Sequence, residues 1–372
     1  MKAIRLYGLL ALLFACGNKG GGAAEGGAPA AKAGGSLGPA NATVVGHAKA
    51  IAEGCTINVE YGQATSCKNG VDAAAKKYVS ESKPADFVST LVPLMTQKDD
   101  PKLSAAAVGL FYDEIDGLTE AGKRANARPE VVEALLAYFK EQPGVRGNRL
   151  ARGVAHLATM AKMSDKLFEA AAASPSKTAR ESVYRNAMAF GRLDVFPKVK
   201  EAKPDVLAGA LAAPRQMAKP TDAEKAAVCP WAKESLGSTD GETASAAGNT
   251  MVWCRGAYID ALLAEAEKRL AAKQYKDPFA AVMREPCFDF IGKSPTDDAT
   301  CEKVYTFLEK ASNDPGVDDA TRGLALWNIY YQRRDAKTLA IMRKYEKSPN
   351  KEVAKRAGEA IKSLTETYKI KG

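Results

Sequence analysis

The sequence contains very little histidine and no long apolar run. Its 372 residues include two histidines, His47 and His156, which stand far apart. Such scarcity leaves little room for a metal site or for acid–base chemistry built on imidazole groups. No apolar run reaches the roughly 18 residues that a membrane-spanning helix needs. Aromatic residues supply 7% of the chain, but hydrophobic residues supply 46%, a share typical of globular proteins rather than of disordered ones.

The motifs of common enzyme sites are also missing. There is no Cys-x-x-Cys, so a zinc site or a thioredoxin-like redox pair is not expected. His156 lies between the apolar residues Ala155 and Leu157, as a structural histidine on a helix would. No serine or cysteine in a suggestive motif accompanies either histidine, which leaves a nucleophile–histidine pair without support. We therefore expect no catalytic residue, no cofactor and no bound metal.

The N-terminus has the order of an export signal. A short basic segment, Met1–Arg5, precedes an apolar run of about ten residues, Leu6–Ala15, which is too short to span a membrane. Cys16 follows, and the segment resembles the bacterial lipoprotein signal, in which a small residue precedes an invariant cysteine, although Phe14 is bulkier than usual. The resemblance implies that residues 1–15 are a signal peptide and that Cys16 carries palmitate or a similar acyl chain. An ordinary secretory signal with a chance cysteine is the alternative.

Residues 16–41 have the composition of a tether. After Cys16 they are nearly all Gly, Ala, Pro and Ser, which cannot bury enough apolar surface to offset the entropy of ordering. We expect a disordered linker with an end-to-end distance of roughly 25–30 Å. In Gram-negative lipoproteins an Asp after the lipidated cysteine favours the inner membrane, and Gly17 stands there. The resemblance therefore implies the outer membrane, with the folded body facing the periplasm.

The cysteines predict disulfides. Besides Cys16 there are six, and an even number in an exported protein is typical of disulfide bonding. Six cysteines allow fifteen pairings. We predict the three local ones, each of which would close a short loop and stabilise the fold by about 2–4 kcal/mol. These pairs are Cys55–Cys67, Cys229–Cys254 and Cys287–Cys301.

The apolar spacing after residue 42 predicts an all-α fold. No run alternates between apolar and polar residues, whereas apolar residues recur at steps of three and four. A short pattern also repeats, in which a turn residue is followed eight positions later by a small residue, where the two helices of a hairpin can approach closely. The instances are Pro101 with Gly109, Pro143 with Ala151, Pro175 with Val183 as a weaker member, Asp240 with Gly248, Pro315 with Gly323, and Pro349 with Ala357. They begin 42, 32, 65, 75 and 34 residues apart, and the two long gaps are about twice the short ones. A period of roughly 30–45 residues in a helical chain indicates stacked helix pairs.

One instance resembles a HEAT repeat. It reads Leu91-Val92-Pro93-Leu94-Met95, then Asp99-Asp100-Pro101, then Ala105-Ala106-Ala107. HEAT repeats have a first helix kinked at a proline, an Asp-Pro turn, and a second helix with a small residue near its middle. The resemblance implies an α-solenoid of antiparallel helix pairs over residues 85–372, with residues 42–84 as an N-terminal cap. TPR-like or irregular helical pairs remain open.

The C-terminal end is basic. From residue 332 to 372, twelve Lys and Arg stand against five Asp and Glu, within a net charge of +9 for the chain. Such an excess can face lipid headgroups, anionic glycans or an acidic protein, or it can be a solvated helical face. Nucleic acid is not expected as a partner of an exported protein. The candidate binding face comprises Arg333, Arg334, Arg343, Lys344, Lys355 and Arg356.

These features favour a protein-binding scaffold over two alternatives. A solenoid offers a long curved surface, on whose concave side another envelope protein or a peptide can dock. Glu181-Ser182 is similar to the start of the catalytic motif of lytic transglycosylases, some of which are periplasmic helical solenoids, but the downstream Gly-Leu-Met-Gln-type element is missing. The second alternative is a passive structural lipoprotein without a specific partner.

Overall fold

The computed structural model describes residues 36–217, 219–274, 287 and 298–371. This part of the chain contains 17 α-helices and a single sheet of two short strands, so the prediction of a helical fold is confirmed. No helix among these residues has both the length and the apolar character needed to cross a membrane. The predicted signal peptide, Cys16 and most of the predicted linker lie outside the described residues.

The N-terminal half begins with a helix, a β-hairpin and seven further helices. Their bounds are α1 Ala42–Gly54, β1 Thr56–Asn58, β2 Gln63–Thr65, α2 Val71–Ser82, α3 Phe87–Met95, α4 Pro101–Glu114, a 3₁₀ turn Ile115–Gly117, α5 Glu120–Asn126, α6 Pro129–Phe139, α7 Gly144–Met160 and α8 Ser164–Ala173.

The C-terminal half contains nine helices in the described residues. Their bounds are α9 Lys177–Lys200, α10 Pro204–Ala212, a 3₁₀ turn Ala213–Gln216, α11 Asp222–Ser235, α12 Gly241–Cys254, α13 Ala257–Ala271, α14 Asp298–Asn313, α15 Asp319–Gln332, α16 Ala336–Tyr345, α17 Lys351–Lys362 and a π turn Ser363–Thr367.

Side-chain caps set the starts of many helices. Asn41 accepts hydrogen bonds from the backbone of Thr43 and Val44, so α1 begins directly after it. Asp100 caps α4 in the same way and is followed by Pro101, whose fixed φ suits the first helical position. Asp318 caps α15, and its pKa is lowered, first by the hydrogen bond from the Thr321 side chain.

Helices pack mainly against their near neighbours in sequence. Consecutive pairs such as α3 with α4, α11 with α12, and α14 with α15 contact each other, and so do alternate pairs such as α7 with α9, α10 with α12, and α15 with α17. Two cores result, one formed by residues 44–187 and the other by residues 188–364, and Phe168 packs against both. Helix α9 contributes Val183 to the first core and Val195 to the second.

The strands are a feature that the sequence pattern did not predict. The all-α prediction did not include them, and β1 and β2 pair antiparallel with Ile57 opposite Ala64. Strands of three residues are too short for alternation to be visible. The hairpin is held from outside: Gly62 has φ +59, and a Cβ there would lie 2.6 Å from Val108 Cγ1 on α4. Arg146 Nη2 on α7 also donates to the Val59 carbonyl at 2.7 Å.

The structure joins the same three cysteine pairs that local spacing predicts. Cys55–Cys67 brackets the hairpin, and Cys229–Cys254 ties α11 to the last residue of α12. The third bond joins Cys287, which precedes α14 in the sequence, to Cys301 within that helix. Each bond restricts the unfolded chain, since it closes a loop that unfolding cannot open.

The small residues of the repeated pattern are buried, but at Gly323 the close approach differs from the one we expected. Gly109, Ala151, Gly248, Gly323 and Ala357 all lie buried in helices. We expected them to bring together the two helices of one hairpin. At Gly323 on α15, an added Cβ would instead lie 2.8 Å from Glu352 Cγ on α17, which is the second helix of the next pair. Hairpin partners are already constrained by their turn, whereas successive pairs need a flat contact.

Gly153 and Gly358 form a matched test of this packing. A Cβ on Gly153 in α7 would lie 2.5 Å from Cζ of the buried Phe111 ring, whereas a Cβ on Gly358 in α17 meets nothing within 4 Å. We expect Gly153→Ala to lower the free energy of unfolding by about 1–3 kcal/mol through overpacking. Gly358→Ala should raise it by roughly 0.5–1 kcal/mol, because alanine favours helix. Denaturant unfolding measures both, and equal effects would contradict the packing.

Candidate functional site

The predicted basic face is largely paired within the chain. Arg333 Nη1 lies 2.7 Å from Glu302 Oε1, and its guanidinium carbon lies 4.1 Å from the centroid of the Tyr305 ring. Arg334 lies over the ring of Tyr368 near the C-terminus, at 4.6 Å. Both arginines therefore hold neighbouring segments together.

Of the other four residues of that face, two form ion pairs and two do not. Lys344 pairs with Glu309 at 3.5 Å. Arg356 pairs with two carboxylates on its own helix and lies 5.5 Å from the centroid of the Trp327 ring. Arg343 and Lys355 are exposed and form no ion pair with any residue that the structure describes. This pairing favours a solvated, internally bonded surface over a binding face.

Glu181, the residue similar to a transglycosylase acid, lies where α9 contacts α10. Its carboxylate pairs with Lys177 at 3.5 Å, and its Cβ lies where a side chain on Gly209 would collide, at 2.5 Å. Glu181 is therefore a packing residue at the contact between these two helices.

A polar cavity of about 730 Å³ lies where α9 passes from one core to the other. We call it the α9 cleft. Its walls come from the turn before α5, from α5, from the C-terminal half of α7 and from residues 189–194 of α9. Glu181 is not among the residues that line it. Charged and aromatic side chains dominate the lining, among them Asp116, Lys123, Arg124, Arg152, His156 and Phe190.

The wall formed by α9 is bent. Arg192 has φ 48° and ψ −129°, a combination that interrupts the helix and is rare for residues other than glycine. Its guanidinium bonds to the buried carboxylate of Glu224 at 2.6 Å, which holds the bend against α11. Burial acts to raise the pKa of Glu224, but hydrogen bonds from Thr221 and Arg192 keep it below its usual value. Backbone strain of this kind tends to occur at functional sites.

His156 is the buried polar group of the cleft. It is 7% exposed and stacks on Phe190, with the ring centroids 3.8 Å apart and the planes 8° from parallel. Its Nδ1 is buried and has no hydrogen-bond partner among the described residues. Burial, and then the nearby charge of Lys123, lower its pKa to about 4, against the opposing effect of Glu120. The imidazole is therefore neutral at physiological pH.

Cations outnumber anions around this histidine. Arg152 Nε bonds to Asp116 at 2.8 Å, and Lys123 lies 3.6 Å from Glu120. Arg124 is exposed and has no ion-pair partner in the described part of the chain, and the same is true of Lys162. The lining carries five basic and three acidic side chains, the latter completed by Asp194, and one of the basic ones, Arg192, is paired with Glu224 behind the lining. Cations therefore exceed anions by one around the cleft.

A second surface feature lies around the hairpin. Four exposed large apolar side chains of the described residues lie on the hairpin or on the helices next to it: Val59, Tyr61, Tyr112 and Val145. We call this group the hairpin patch. Arg146 links the hairpin loop to α7, and Arg149, one turn further along α7, lies 4.0 Å from the centroid of the Tyr112 ring. The members therefore belong to segments that contact one another, namely the hairpin, α4 and α7.

The sequence only partly indicates the α9 cleft and the hairpin patch. Arg152 and His156 are four residues apart, so a helix places them on one face. Nothing in the sequence indicates that Phe190 or Arg124 joins them, because these residues come from separate helices. No group of three or more His, Cys, Asp or Glu in the described ranges could hold a metal ion.

No protein-family model matches the chain, and no curated protein is significantly similar to it.

The low pKa of His156 predicts a pH-dependent contribution to stability. The unfolded chain, with a His pKa near 6.5, binds this proton more readily than the folded one, whose pKa is about 4. The contribution of the neutral His156 to the free energy of unfolding is therefore fully present above about pH 6.5. It falls by up to roughly 2–3 kcal/mol as the pH drops to about 4. We expect His156→Gln to lose less stability over this range than the wild type. Parallel unfolding curves for the two proteins would contradict the assignment, because acid effects on carboxylates are common to both.

Proposed function

We propose that this chain is a non-enzymatic binding protein of the bacterial envelope. In this proposal Cys16 is lipidated and anchors the chain in the outer membrane, residues 17–41 act as a tether, and the helical body faces the periplasm. The helices form a HEAT-like superhelix, and its surface docks another envelope protein. Neither a cofactor nor nucleic acid takes part.

Two observations support export. The basic segment, apolar run and cysteine at the N-terminus have the order of a lipoprotein signal. All six cysteines of the body pair within the chain. Structural disulfides persist in oxidising compartments such as the bacterial periplasm and are rare in the cytosol.

The packing of the helices supports the superhelix. Their main contacts join elements that are close in sequence, in the described residues from α1 to α17. In repeat proteins each unit contacts chiefly its neighbours, so that stacking buries a continuous core. The hairpin, clipped by Cys55–Cys67 and packed on α4, supports the role of residues 42–84 as an end cap.

The hairpin patch is the observation that carries the binding function. Clusters of exposed apolar residues on a soluble protein mark interaction surfaces, and tyrosine and arginine are enriched at their energetic centres. The patch is preorganised, because a disulfide, the Gly62 turn and the Arg146–Val59 hydrogen bond hold the hairpin in place. Preorganisation lowers the entropy lost on binding. We assign the patch to a protein partner that presents apolar side chains.

Crosslinking in intact envelopes tests this assignment. We expect one enriched partner with the wild type. Most of the crosslinked product should be lost when Tyr61→Ala and Tyr112→Ala are combined, because these substitutions remove both aromatic rings from the patch. Leu324→Ala is the matched control, since Leu324 is equally exposed but lies on α15. Circular dichroism verifies that the variants fold.

Two results of this experiment, and one of a separate zymogram, would overturn the proposal. Capture of no partner would favour a passive structural lipoprotein, and a product containing two copies of this chain would make the patch a dimer contact. Degradation of peptidoglycan by the purified body in a zymogram would favour the glycan-processing alternative.

The anchor has its own test. Replacing Cys16 with serine removes the sulfur that would carry the lipid, so we expect Cys16→Ser protein to move from the membrane fraction to the soluble fraction. Cys229→Ser serves as a control for loss of a cysteine elsewhere, and it should remain with the membrane. Fractionation and immunoblotting measure both variants, and membrane retention of Cys16→Ser would refute the lipid anchor.

A further inference from the structure

We propose that the α9 cleft is a binding site for a small organic anion that carries a carboxylate or phosphate group. This site is separate from the hairpin patch, and the inference does not depend on the proposed function.

The charge of the cleft supports an anionic ligand. With the Arg192–Glu224 pair counted, cations exceed anions by one around the cleft, and Arg124 and Lys162 are exposed with no carboxylate partner among the described residues. Arg152 offers further donors beyond its bond to Asp116. Guanidinium groups bind carboxylates and phosphates through paired, charge-assisted hydrogen bonds. An anion in the cleft would meet these donors without displacing the ion pairs already present.

The buried histidine supports a ligand rather than bulk solvent. Buried polar atoms in native proteins almost always have hydrogen-bond partners, and leaving one without a partner costs about 1–3 kcal/mol. His156 Nδ1 has none among the described residues, although its ring lines the cleft and is fixed by the stack on Phe190. A bound ligand, or a water held by it, would satisfy this imidazole. Because Nδ1 itself is buried, binding requires a small movement of the ring or of a neighbouring side chain.

Size and position agree with a small ligand. The volume of about 730 Å³ lies within the range of roughly 300–1,000 Å³ found for small-molecule pockets. Such pockets occur preferentially where two packed units meet. The α9 cleft lies where residues 44–187 give way to residues 188–364 as the core, at the bend held by Arg192 and Glu224.

Binding of an anion should be coupled to proton uptake by His156. The groups that face it are Lys123 and Glu120 on α5, Asp116 before α5, Arg152 on its own helix, and Arg192 and Asp194 on α9. Burial, and then the charge of Lys123, disfavour the imidazolium. An anion in the cleft favours the charged ring and raises its pKa, so affinity must increase as pH falls below the pKa of the complex.

The scarcity of histidine makes this coupling measurable. With two histidines in the chain, ¹³C-labelled ring signals in an NMR spectrum of the mature protein in detergent report each residue separately. A tag without histidine is required, and a His47→Gln variant assigns the signals. Sodium phosphate and sodium citrate are the probes, glucose is the neutral control, and sodium chloride keeps the ionic strength constant.

We expect phosphate or citrate to shift the His156 signal and to raise its titration midpoint by about half a pH unit or more, while His47 is unaffected. A response to phosphate alone identifies a phosphate-bearing ligand, and a response to citrate alone identifies a carboxylate. If neither probe moves the signal at millimolar concentration, or if glucose moves it equally, the proposal is wrong.

Two variants separate a built site from general attraction of anions. Arg124→Gln should weaken probe binding about 3- to 10-fold, which corresponds to one exposed charge pair. Arg343→Gln is the matched control, an equally exposed arginine on α16, and it should leave the affinity unchanged. His156→Gln should abolish the pH dependence of binding measured by calorimetry. Equal weakening by both arginine variants, or pH dependence that survives in His156→Gln, would overturn the assignment.

Discussion

Burial of one apolar stripe per helix against helices nearby in sequence is the interaction on which the structure depends. Most of these helices contact two or more others, so the burial of each apolar stripe depends on several neighbours. Close approach requires small residues at the contacts, as at Gly153 beside Phe111 and Gly323 beside Glu352. Disulfides add covalent links at the short hairpin and between α11 and α12.

The bend in α9 lies where one core gives way to the other. This helix of 24 residues contributes to both cores and is interrupted at Arg192. The break is held by the ion pair between Arg192 and the buried carboxylate of Glu224. The polar cleft lies at this break, so the site and the packing of the two cores are linked physically.

Charge has two distinct uses in the molecule. Along the C-terminal helices, basic residues such as Arg333 and Arg356 pair with carboxylates and lie over aromatic rings, so a strongly basic segment is mostly neutralised locally. Around the α9 cleft, fewer charges are involved but they are less completely paired, and a neutral histidine lies among them. The net charge along the sequence therefore pointed to the C-terminal helices, whose cations are mostly paired, and not to the α9 cleft. Local pairing determines which cations can bind a ligand.

The sequence by itself determined the elements that depend on neighbouring residues. Periodic apolar spacing and local cysteine spacing predict the helical fold and the three disulfides, because each signal acts within a few turns or one short loop. Only the tertiary structure decided the rest. It placed Arg149 over the ring of Tyr112 and Phe190 against His156, and it directed Gly323 towards α17 rather than towards α14. These contacts join residues far apart in sequence, and their geometry depends on how successive helices stack, which a periodic pattern does not encode.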